Sequence, residues 1–257
     1  MIPLKDNQPT SSFPIVTILL IAANVVVFLG QQVPELHLTE LYALVPAEIT
    51  EGLTRRRIPI YETLDAFGTV HEHYGLVKAV QPTWITIFTS MFLHASWLHI
   101  GGNMLYLWIF GNNIEDALGK IRFIGFYFLS GLVAAAAQIL MDPASHVPML
   151  GASGAIAGVL GAYYILYPSA KVLSFVPPFI FFRFWVRAWF VLGLWFMLQV
   201  INVSAGQQAG GGVAVFAHIG GFIGGVVMVN LLGGQTLAIR QRRRAGPYTP
   251  YGPYGSR

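Results

Sequence analysis

Three short segments carry side chains that could do chemistry together. Ser153 sits in Gly151-Ala152-Ser153-Gly154, His218 sits in Ala217-His218-Ile219-Gly220-Gly221, and His94, His99 and Asn103 fall within ten residues of one another. A serine hydroxyl is a poor nucleophile until a neighbour takes its proton, and a neutral imidazole does that near pH 7. A nucleophile beside a base is the minimum for acyl transfer. The oxyanion that forms also needs donors. Ser153 opens an apolar run, so at a helix N-terminus it has free N–H groups and the positive end of the dipole beside it. His99 and Asn103 are four apart, which puts them on one helix face. No Asp or Glu lies near enough in the apolar runs to orient His218, so the economical chemistry is a Ser153–His218 dyad with His99 and Asn103 as oxyanion donors.

These segments are embedded in an apolar chain. Of 257 residues, 55% are hydrophobic and only 10% charged, well short of the roughly 25% charged residues of a soluble domain. Mean hydropathy is +0.61. Six stretches read as membrane helices: Phe13–Gly30, Thr83–Gly111, Ile121–Leu140, Gly151–Tyr167, Ala188–Val203 and Val213–Gly233. The expected architecture is an all-α membrane protein, a six-helix bundle over residues 13–233. A short N-terminus (1–12) precedes it, 31–82 forms a long first loop, and 234–257 is a disordered basic tail with no core to join. The second stretch is too long for one span, so its first turns belong at the interface. The first stretch reads as a signal anchor, since no small-residue cleavage site follows it.

Charge gives the orientation. Eleven of the fifteen Lys and Arg fall on the side of the N-terminus, the second and fourth connections and the tail, and eight of the eleven Asp and Glu fall on the other. Both termini are therefore expected in the cytoplasm. The second, fourth and sixth stretches then all run inward from the outer face, each with its polar residues near its starting end. Glycine pairs at Gly154/Gly158 and Gly221/Gly225 allow close backbone approach, which would bring Ser153 to His218.

Together the segments resemble the rhomboid intramembrane proteases. His94…His99…Asn103 is like that family's HxxxxHxxxN, Gly151–Gly154 is like its GxSG, and Ala217–Gly221 is like its AHxxG. Their order agrees as well. The resemblance implies Ser153 as nucleophile, His218 as general base, and an oxyanion hole of His99, Asn103 and the Ser153 N–H. It also implies cleavage of substrate transmembrane segments near the outer face, a membrane-embedded first loop, and a gate formed by the fifth helix with the loop after it. Some members place a tyrosine four residues after the serine, stacked on the histidine. Here that position is Ala157.

Simpler readings stand beside these. A lone serine or histidine in a glycine-rich helix is usually packing, and it is the company of the motifs that gives them a function. His94 is expected to be structural, bonding the first loop. His71-Glu72-His73 has no further ligands at metal-binding spacing, so no metal or cofactor is expected, and HExxH is absent. The expected partners are transmembrane protein substrates and membrane lipids, with no nucleic acid. The compact form suggests a bacterial plasma membrane. The rival function is a non-catalytic rhomboid-like protein that binds membrane clients.

Overall fold

The computed structural model describes residues 1–53, 55–64, 70–78, 80–176, 179–204 and 214–245. Pro177-Pro178, most of the glycine-rich connection at 204–212 and the last twelve residues lie outside them. Helices make up most of the described chain, in keeping with an all-α membrane body. They are α1 (Ile15–Gln31), the short α2 (Leu38–Tyr42), α3 (Pro46–Thr50) and α4 (Thr86–Thr89), α5 (Trp97–Tyr106), α6 (Asn112–Leu118), α7 (Lys120–Met141), α8 (Ser153–Leu166), α9 (Ala188–Ser204), α10 (Val215–Leu231) and α11 (Gly234–Ala245). Among the described residues, α7 alone is by itself long and apolar enough to cross a membrane, and α1 with Pro34–Tyr42 forms a second candidate bent by 101°. α8, α9 and α10 are shorter apolar helices. Large apolar side chains face outward, Leu19, Val26, Ile121 and Leu140 among them.

α8 is the axis of the bundle. Its sequence, rich in alanine and glycine, lets neighbours pack on every side, and Ala155 to Tyr163 are all buried. α7 and α10 lie against it, and α9 also touches it. The core also takes Leu107, Phe110, Ile114, Phe123 and Tyr127.

Several expected boundaries move, each for a local reason. The Thr83–Gly111 stretch is interrupted at Leu93–Ser96. Ser96 is extended and its hydroxyl accepts the His99 N–H, capping α5. Below α5 the helix passes through a π turn at Leu107–Gly111 into α6 without a break, so Asn112–Leu118 is helical rather than a connection. Its carboxylates bond the chain start. Glu115 accepts from the N–H groups of Val16 and Thr17 and from the Thr17 hydroxyl at 2.8–3.1 Å, capping α1. Asp116 accepts from the Ser11 N–H at 2.7 Å and the Ser12 hydroxyl at 2.6 Å. The first loop holds an antiparallel hairpin, β2 (Arg55–Leu64) with β3 (Val70–Lys78), whose register shifts beside Pro59, a residue unable to donate to the ladder. His71 and His73 fall within β3, not in an open loop.

Residues 168–187, expected as a connection, form β4 (Lys171–Val176) and β5 (Phe179–Arg187). β1 (Ile2–Asp6) pairs along β4 to complete a three-stranded sheet. The β-branched and aromatic run in β5 suits a strand. The tail expectation is corrected too: α11 docks instead of lying free. The reason is Gln241, whose amide donates to the Pro9 carbonyl at 2.6 Å and to Asp116 at 2.8 Å, while Leu237 and Ala238 join the core.

The Asp6 carboxyl at this end of the molecule is perturbed. Burial raises the Asp6 carboxyl from 3.8 to about 7, although hydrogen bonds from the Tyr163 hydroxyl and the Asn113 amide pull it back down. Folding therefore favours its protonated form. That contribution is whole below about pH 4 and is lost as pH rises towards 7. Asp6→Asn removes the titration. The variant's Tm in detergent, minus that of the unmodified chain, is expected to grow by several degrees from pH 4 to 7 and then level off. A difference that stays constant with pH would refute this account.

Candidate active site

Ser153 is the first residue of α8, so its N–H has no partner within the helix. Gly151 sets it there. The Gly151 φ of +125° is one that L side chains rarely adopt, its N–H donates to the Ser90 carbonyl at 2.9 Å, and a Cβ on it would lie 2.8 Å from His99 Nε2. Both the backbone and the space beside it require glycine.

His218 lies in the first turn of α10. The α8–α10 seam is made by glycine: a Cβ on Gly221 would overlap the Gly154 carbonyl, one on Gly225 the Gly158 carbonyl, and one on Gly161 the Phe222 carbonyl. With the backbones this close, Ser153 Oγ and His218 Nε2 stand 2.8 Å apart. The start of α10 is fixed by Gln138 of α7, whose side-chain oxygen accepts the Ala217 N–H at 3.3 Å.

The other side of the His218 ring faces α9. Gln199 Oε1 is 2.9 Å from His218 Nδ1, and the Trp195 ring lies 5.8 Å away, tilted by 41°. Ala157, at the position where some rhomboids place tyrosine, sits in the glycine seam beside Gly221. The aromatic neighbour of the histidine thus comes from a different helix.

His99 and Asn103 arrive from α5. His99 Nδ1 accepts from the Ala95 N–H at 3.4 Å, so in the neutral ring Nε2 carries the proton, and it lies beside Gly151. The Asn103 amide contacts His94 Nε2 at 2.9 Å. His94 is held through its backbone: its N–H donates to Gln31 Oε1 at 2.9 Å, and its carbonyl accepts from Gln31 Nε2 at 3.2 Å. Its bond is therefore to Gln31, the last residue of α1 and the first of the expected first loop, and its ring supports Asn103. A cleft of about 570 Å³ has Ser153, His218, His99, Asn103, Tyr106 and Trp195 in its walls. All four residues singled out from sequence thus share one cleft. Gln199, Trp195 and Gln138 were not among them. Their signal was an uncharged amide inside an apolar run, with a tryptophan one turn before Gln199.

Comparison with known proteins places the chain in a family. Residues 81–235 match the Rhomboid domain. The chain is 32% identical over 172 residues to "Rhomboid protease GluP" of Bacillus subtilis, covering 67% of this chain and 30% of that protein. It is 39% identical over 98 residues to "Rhomboid protein 1, mitochondrial" of Saccharomyces cerevisiae, covering 37% of this chain and 28% of that one. It is 28% identical over 176 residues to "Rhomboid-like protein 11, chloroplastic" of Arabidopsis thaliana, covering 63% and 60%. The matched region thus spans about a third of the first two relatives and three fifths of the third. All three motifs fall inside the matched domain, which takes in more than half of the sequence, and the chain belongs to the rhomboid family of integral membrane proteins.

Proposed function

We propose that this chain is an intramembrane serine endopeptidase that cuts transmembrane segments of membrane-protein substrates near the outer face. The observation that carries the reading is the 2.8 Å contact between Ser153 Oγ and His218 Nε2 inside the cleft. Ser153 attacks the scissile carbonyl while His218 takes its proton. The oxyanion is met by His99 Nε2–H, the Asn103 amide and the Ser153 N–H. His218 returns the proton to the leaving amine, then activates the water that releases the acyl-enzyme. No step calls for a cofactor. The proposed setting is a six-span bundle in a bacterial plasma membrane with both termini cytoplasmic. The charge asymmetry supports that orientation.

A fluorophosphonate probe tests the nucleophile without a substrate. The purified protein in detergent is expected to be labelled at Ser153. Ser153→Ala should remove the label, His218→Ala should slow labelling by about 100-fold or more, and EDTA should leave it unchanged. Labelling that persists in Ser153→Ala would overturn the assignment, as would labelling at an unaltered rate in His218→Ala.

A further inference from the structure

We propose that Gln199 is the positioning residue for His218, extending the Ser153–His218 pair to a Ser–His–Gln triad. The inference rests on the dyad reading above and goes beyond it.

The argument turns on which end of the Gln199 amide faces the imidazole. Gln199 Nε2 lies 3.4 Å from the Trp195 carbonyl, one turn back on α9. An N–H can donate to that carbonyl, but an amide oxygen cannot. The NH2 group is thereby committed to its own helix, and Oε1 is left to face His218 Nδ1 at 2.9 Å. An amide oxygen only accepts, so Nδ1 must carry the imidazole proton. Nε2 then presents its lone pair to Ser153 Oγ, 2.8 Å away, which is the tautomer a general base needs. One backbone carbonyl of α9 thus fixes, through two side chains, the state of the base. Gln199 also restrains the plane of the ring, together with Trp195 on the same helical face.

A neutral amide suits this place. It orients the imidazole without burying a carboxylate among apolar side chains, where an unpaired anion would be costly. It also gives less stabilisation than an anion to the imidazolium that forms during proton transfer.

Two measurements test the proposal. The first is the ¹⁵N spectrum of His218 in the full chain in detergent, which needs no substrate. The Nδ1-protonated tautomer is expected to dominate. In Gln199→Leu the signals should move towards a mixture of tautomers. The second is cleavage of a transmembrane reporter in liposomes. Gln199→Leu should lower kcat about 10- to 100-fold with KM within about twofold. Gln199→Glu, which keeps an acceptor at the same reach, should recover most of that rate. Unaltered tautomers in Gln199→Leu would overturn the proposal, and so would a rate loss that Gln199→Glu fails to restore. If the unmodified chain cleaves nothing while its tautomer follows Gln199 as described, the endopeptidase reading fails and the positioning role stands. If the chain cleaves and Gln199→Leu matches it in kcat, the positioning role alone fails.

Discussion

Ser153→Ala is expected to abolish cleavage of a transmembrane reporter in liposomes, with kcat down by about 10³-fold or more, and His218→Ala to fall as far. The shared size of the two losses follows from the 2.8 Å contact between them. A hydroxyl without its base and a base without its hydroxyl are both left without a usable nucleophile. The double variant should therefore be no slower than either single one, since the residues act as a unit. KM should hold within a few-fold in all three, because the cleft walls contributed by Tyr106, Trp195 and Asn103 are untouched. Progress curves with enough enzyme to detect a 10⁴-fold loss decide the matter. Additive losses, or residual cleavage by Ser153→Ala above about a tenth of normal, would mean that the hydroxyl is not the attacking group.

Gly225→Val is expected to have the largest effect on the fold. The Gly225 Cα faces the Gly158 backbone, and a Cβ there would overlap the Gly158 carbonyl, with backbone atoms next in line. Unlike a core side chain, that carbonyl cannot swing aside. α8 and α10 must separate along the whole seam. Overpacking in a yielding core costs about 1–3 kcal/mol, and this substitution should reach or exceed the top of that range. The protein should lose roughly 6–12 °C in Tm, at the roughly 2–4 °C per kcal/mol of a chain this size. The same separation would pull His218 from Ser153, so activity should fall below the folded fraction. Gly125→Ala on α7 is the control, because a Cβ there meets nothing within 4 Å, and it should be neutral or slightly stabilising. A Gly225→Val protein as stable as Gly125→Ala would show that the seam is looser than its geometry implies.

The seam and the contact between Ser153 and His218 were both legible in the sequence, and for the same reason. A glycine at helical spacing or a serine and histidine amid alanine and valine departs from an otherwise apolar pattern, and departures are what pattern reading detects. Ser96, Gln31 and Gln199 escaped notice because single uncharged polar residues are common and their use depends on tertiary neighbours. Gln199 is the instructive case. Within Ala188–Ser204 it looks like one tolerated amide, and only the crossing of α9 over α10 brings it to Nδ1. β1 and β4 escaped for another reason. Their pairing joins the two ends of a long stretch of chain, whereas period and propensity report only local order. α11 was misjudged because arginines dominate its composition, while its docking depends on Leu237, Ala238 and Gln241.

That pairing of β1 with β4 also bears on how the molecule is made. The strand Ile2–Asp6 leaves the ribosome well before its partner Lys171–Val176, which emerges only after α1 to α8 have been synthesised. Until then its backbone groups have no ladder to join, and the Tyr163 hydroxyl that meets Asp6 is not yet in place. Joining ends so far apart in sequence is slow compared with forming the helices between them. Protection of the Ile2–Asp6 amides from hydrogen exchange should accordingly appear only after α8 and β4 have been made, which makes this strand a natural timer for that stage of assembly.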